Sequence, residues 1–178
     1  MPPGPGDLHA LAVELLTASA AGLDTLPGLL GAPFVGAPSR QYVSPGVPVA
    51  DACEMLVVHV QQINEGDRSR DVFTATSWIN RPVWFVTVLR CTPQGTGELG
   101  KNYKPPTVTA LNANSSQLDA DAWALWNHLH NEAAAGRLFE TCGDCLIGPM
   151  LSQAPSGTSA GWTLQVSAKL DGYQVLGT

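Results

Sequence analysis

The stretch from Arg81 to Pro93 constrains the fold more than any other part of the chain. From Val83 to Leu89 its residues are all β-branched, aromatic or aliphatic, apolar side chains fall on both pleat faces, and a proline stands near each end. Such a run fits a central strand covered on both sides, because a half-exposed strand alternates apolar with polar residues. A sheet that needs cover implies packed helices, so an α+β fold is expected.

Composition sets the outer limits. The 178 residues, 44% hydrophobic and 13% charged, suit a single domain spanning 1–178. At that size about two-thirds of the unfolded surface can be buried. Nine Lys and Arg against a net charge of −6 leave no basic footprint for phosphates, so sequence-specific nucleic-acid binding is not expected. The opening Met-Pro-Pro-Gly-Pro-Gly lacks a basic region followed by an apolar run, and no window reaches the roughly 18 apolar residues of a membrane span. Synthesis in the cytoplasm and no membrane partner are the expectations. The 18 glycines and 14 prolines cluster between elements and predict many irregular loops.

Taken in order, Asp7 can cap a helix whose apolar stripe is Leu8, Leu11, Ala12, Leu15 and Leu16, with Gly22 as its stop. Residues 23–48 are punctuated by Pro and Gly and predict a wrapping segment, with a short extended piece at Arg40 to Ser44. Cys53 to Gln62 alternates as a strand, with Leu56, Val58 and Val60 on one face and Met55, Val57 and His59 on the other. Antiparallel pairing of this strand with Val83 to Cys91 sets residues whose numbers sum to about 144 opposite one another. That register puts Cys53 beside Cys91, and the segment between the two strands becomes a projecting β-hairpin arm over 64–80.

The stretch from Thr92 to Ser115 is expected to be a long loop. Ser116 with Asp119 suggests a capping box for a helix from Gln117 to Ala135, with a stripe of Leu118, Ala122, Leu125, Leu129 and Ala133 ended by Gly136. Leu146 to Leu151 predicts a short strand, edge-like or bulged because it contains Gly148-Pro149. Ser152 to Gly161 is a predicted loop. The alternation of Trp162, Leu164, Val166, Ala168 and Leu170 with Thr163, Gln165, Ser167 and Lys169 predicts a strand with one buried and one solvated face. The whole is a mainly antiparallel sheet of about four to five strands flanked by two helices.

No arrangement of residues spells out a reaction. Cys142-Gly-Asp-Cys145 has the spacing of half a zinc knuckle or of a thiol–disulfide pair, and completing a four-cysteine site would require Cys53 and Cys91. Reduced, packed thiols are the expected state, with zinc or a disulfide as the alternatives, so no metal and no cofactor is assigned. His128 and His130 are two apart on a helix and cannot chelate one ion together; His59 and His9 have no identifiable partner. No nucleophile elbow, phosphate-binding glycine loop or paired-carboxylate motif occurs, so no catalytic residue is named and no enzyme is expected. Asp119, Asp121 and Glu132 fit the solvated face of the long helix. Trp123 and Trp126 adjoin its leucine stripe and fit either core packing or a subunit contact.

Five segments in order carry a resemblance: Cys53 to Val60, Val86 to Pro93, Ala122 to His130, Leu138 to Cys142, and Ala160 to Val166 followed by Leu170 to Tyr173. Over about 50–173 this set resembles the tail terminator or head-to-tail connector proteins of long-tailed actinobacterial phages. The resemblance implies a structural virion protein, made in the host cytoplasm and placed at the tail–neck junction. Such a protein forms a homo-oligomeric ring, typically a hexamer, contacts the tail tube protein and a neck or connector protein, and ends tube polymerisation. It points to Glu65, Asp67, Arg68 and Arg70 on the arm, with Trp123 and Trp126, as candidate subunit or tube contacts. Another neck ring component, such as a head-completion or stopper protein, is the runner-up; a small thiol- or zinc-binding domain is the reading from a different class.

Overall fold

The computed structural model describes residues 7–25, 36–46, 53–65, 80–98, 101–139, 143–156 and 158–169. The strands are β1 (Arg40–Ser44), β2 (Met55–Glu65), β3 (Asn80–Cys91), β4 (Gly143–Ser156) and β5 (Ser159–Lys169), and the helices are α1 (Asp7–Thr25) and α2 (Val108–Ala134). The strands form one sheet in the order β1-β2-β3-β5-β4, which puts the apolar Arg81-to-Pro93 run in the middle. Only β1 and β2 run parallel; the other three pairings are antiparallel. The β2–β3 register is the expected one, from Met55 opposite Leu89 to Val60 opposite Trp84, after which a bulge between Val60 and Gln62 shifts it. The strands end with Glu65 opposite Asn80. The tip of the projected arm, and with it Asp67, Arg68, Arg70 and the side chain of Glu65, lies outside the described residues.

Both helices pack on one face of the sheet. Leu11, Ala12 and Leu15 of α1 and Ala124, Leu125 and Leu129 of α2 meet Leu56, Val58, Trp84, Val86, Val88, Leu164, Val166 and Ala168 in one buried cluster. Each fully buried Leu or Val there contributes about 1.5–3 kcal/mol relative to exposure. The crossover from β3 through α2 to the edge strand β4 carries the chain over this face, and the β4–β5 hairpin then fills the gap beside β3. The opposite face carries a smaller cluster of Met55, Val57 and Leu89 with Tyr42 against it. Among the described residues neither helix lies on that side, so the expected flanking is one-sided.

Four further expectations change. Gly22 does not stop α1; the helix runs on to Thr25, and Gly22 is where α1 and α2 cross, since a Cβ there would lie 2.8 Å from the Cβ of His128. Helix α2 starts nine residues earlier than the weak Ser116 cap suggests, because Thr107 caps it and accepts a bond from the Ala110 N–H at 3.2 Å. Its first turns are rich in Asn and Ser, which read as loop because their side chains compete with the backbone for hydrogen bonds. Tertiary contact overrides that preference, and Asn114 donates to the Cys91 carbonyl at 3.0 Å. Third, the predicted loop at 152–161 is mostly strand: β4 extends to Ser156 and β5 starts at Ser159, while the Gly148-Pro149 bulge and edge position appear as expected. Last, the polar side of β5 is only partly solvated: Gln165 and Lys169 are half-buried. Thr163 and Ser167 are buried, with the Thr163 hydroxyl 2.9 Å from that of Thr87 and accepting from Gln153 at 2.8 Å.

Candidate interaction surface

Two regions of α2 hold the side chains that packing alone does not explain. The first is a buried polar corner where β2 starts and β3 ends. Arg90 follows Trp84, Val86 and Val88 on the helix-covered face of β3, and it is only 2% exposed. Its guanidinium donates to Asp121 twice, Nε to Oδ2 at 2.7 Å and Nη2 to Oδ1 at 3.0 Å, and through Nη1 to Glu54 at 3.0 Å. It also donates to the Gly36 carbonyl. Burial pulls the Arg90 pKa down, but the hydrogen bonds and charges of Asp121 and Glu54 outweigh this and raise it above its usual value. Asp121, expected on a solvated helix face, is 4% exposed and takes a further bond from Gln117 at 2.9 Å. Four hydrogen bonds engage the five N–H donors of the guanidinium, and two carboxylates face its charge, the condition under which a buried charge is tolerated.

Glu54 enters this corner with φ +62°, a left-handed conformation unusual for a side chain with a Cβ. Its carboxylate fixes it by spanning the Arg90 guanidinium and the Cys91 N–H, the latter at 3.1 Å. Cys53 and Cys91 form a disulfide with Cα atoms 4.7 Å apart, within the span such a bridge requires. The expected neighbour relation therefore holds and the expected reduced state does not, since the two thiols meet at the mouth of an antiparallel pair. Two of the four sulfurs needed for the zinc alternative are thus taken. Among the described residues no group of three His, Cys, Asp or Glu could hold a metal ion; Cys142 lies outside them and Cys145 is half-buried on β4.

The second region is an open groove of about 640 Å³ between α2 and the β4–β5 hairpin, lined by Asp119, Ala122, Trp123, Trp126, Met150 and Trp162. Trp123 is 50% exposed and stacks on Trp126 with ring centroids 5.8 Å apart; Trp126 in turn lies 4.1 Å from the His130 ring. The two sequence candidates on α2 are therefore brought together, one exposed and one half-buried, and Met150 and Trp162 join them from the sheet. Helix periodicity finds the α2 pair; it cannot find the other two, whose approach depends on the crossover. Arg90 was legible in principle, because an arginine inside an apolar strand must find a buried partner.

A further feature, exposed like the groove, precedes α2. Thr96 and Lys104 pair through their backbones at 2.8 and 2.9 Å in an isolated antiparallel bridge, beside which the Tyr103 ring lies on Gly95, where a Cβ would come within 2.4 Å of it. Beyond it Lys104 and Pro105 are exposed and Pro106 half-buried, followed by exposed Val108 and Leu111 on the first turns of the helix.

The described helices include none long and apolar enough to cross a membrane. No protein-family model matches the sequence, and a search of curated proteins finds no match.

Proposed function

We propose that the chain is a structural virion subunit that forms a ring at the head-proximal end of a phage tail tube, ends tube polymerisation and joins the tail to the neck. The observation that carries this reading is the ordered resemblance to tail terminators: its segments coincide with the elements that build the core, β2, β3, the middle of α2 and β5. Support also comes from the exposed tryptophan groove on α2, since aromatic residues are enriched at the centres of protein interfaces. The acidic balance suits a channel that must let DNA pass, because a basic lining would hold it. The subunit would work at the tail–neck junction, against the tube protein on one side and a connector on the other.

Negative-stain imaging of the protein mixed with tail tubes tests the proposal: rings seated at one tube end are expected. Rings that bind isolated connectors but never tubes would move the assignment to another neck component, a head-completion or stopper protein. A monomer that holds stoichiometric zinc and ignores tubes would overturn both.

A further inference from the structure

We infer that the groove lined by Trp123, Trp126 and Trp162 receives the Lys104-Pro105-Pro106 segment of a second copy of this chain. The segment has the right backbone. Proline fixes φ near −65°, a residue before proline is pushed toward the polyproline II region, and Thr107 at the end of the run has φ −70° and ψ 149°. It is also held at both ends, by the Thr96–Lys104 pairing on one side and by the Thr107 cap of α2 on the other. A pre-formed extended segment loses little entropy on docking, and aromatic-lined grooves are the usual receivers of such segments.

Charge fits as well. Asp119 lies in the groove wall beside the indole rings, and Lys104 is the exposed cation adjoining the prolines. An ammonium between a carboxylate and a tryptophan face gains from both. Exposed Tyr103 and Val108 flank the segment and extend its apolar contact.

The partner has to be another copy. The segment ends where α2 begins, and Trp123 lies about 22 Å further along the helix at 1.5 Å per residue, so no chain can place its own prolines in its own groove. The two patches differ, so the contact is head-to-tail, and a head-to-tail contact propagates until the rotation between subunits closes it. Closure as a ring at a tube end rests on the proposed function above; the contact itself does not.

The experiment uses the full chain, with thermal unfolding as the check on folding and sedimentation velocity as the readout. Trp123→Ala disables the groove, and Pro105→Ala with Pro106→Ala disables the segment. Each should weaken self-association at least tenfold, and Lys104→Glu should do so too, with recovery when combined with Asp119→Lys. Mixing the groove-defective and segment-defective chains should give dimers and nothing larger, because each mixture pair has one intact groove and one intact segment. A peptide of residues 101–108 should quench the groove tryptophans of the wild type and compete with association. Association that survives all variants, or a wild type that stays monomeric, overturns the contact. Tight binding of an unrelated proline-rich peptide while the 101–108 peptide fails also overturns it, in favour of a different partner. If the Lys104→Glu chain still caps tail tubes as a ring, the contact is wrong and the tail reading stands; if the wild type associates by this contact but never meets a tube, the tail reading fails alone.

Discussion

Asp121 and Trp123 lie two residues apart on α2 and reverse the usual rule, since the carboxylate is 4% exposed and the indole 50%. The difference follows from what each finds across the gap. Asp121 faces the sheet where Arg90 supplies a bidentate partner, so its burial brings two charge-assisted hydrogen bonds. Trp123 turns instead to the groove beside the β4–β5 hairpin, where it stacks on Trp126 and half of its surface stays in water. One residue belongs to folding. The other is available to a partner.

Removing a member of the buried pair should have the largest effect on stability. Asp121→Ala should cost about 3–5 kcal/mol, because it leaves Arg90 charged and partly unanswered, and urea unfolding measures it. Asp121→Asn sharpens the point by keeping shape and removing charge; a loss below about 1 kcal/mol there would mean that the charge matters little.

Next comes the disulfide beside the same corner. Reduction, or Cys53→Ser with Cys91→Ser, frees a loop with a sequence separation of 38, and a loss of about 2–4 kcal/mol is expected. Calorimetry with and without reductant should show a melting point lower by roughly 5–15 °C. An unchanged transition would show that the two sulfurs are not joined in solution.

A smaller effect separates answered from unanswered burial. His59 is buried on the opposite face of the sheet against Phe85, its Nδ1 has no hydrogen-bond partner among the described residues, and burial lowers its pKa. The unfolded chain then takes up a proton at higher pH than the folded one. Stability should be insensitive to His59 above about pH 6.5 and should fall as the pH drops below it, by at most about 1.4 kcal/mol per unit, until the folded-state pKa is passed. His59→Gln should flatten that part of the pH profile; an identical slope in the variant assigns the effect to other groups.

The smallest effect on stability belongs to Trp123. Trp123→Ala should leave the urea midpoint of the isolated subunit within about 0.5–1 kcal/mol, since half of the side chain is already in water. A loss above about 2 kcal/mol would show that the indole serves the core.

How much of this was legible varies by residue, for physical reasons. Periodicity exposes whatever a single element buries: the middle strand, the α1 stripe from Leu11 to Leu15, the Leu125–Leu129 edge of α2 and the two faces of β2 all follow from spacing. The Cys53–Cys91 adjacency followed from register, while its oxidation did not, because a strand pattern fixes distance and carries no information on redox state. Gly22 misled because glycine ends helices and also lets two helices touch, and only the position of His128 distinguishes these uses. Thr163 looks solvated because a polar residue in alternation usually is; its burial depends on Thr87 and Gln153 from other strands.

The amino-acid order alone settled the α+β class, the central place of the Arg81-to-Pro93 run and the β2–β3 register, since each depends on the pattern of apolar and polar residues along one segment or a pair of neighbouring ones. Tertiary structure alone decided that both helices share one face, that Asp121 answers Arg90, and that Met150 and Trp162 complete a groove with the α2 tryptophans. Those outcomes depend on how the crossover through α2 sets segments far apart in the chain against one another, a relation that periodicity within a segment does not encode.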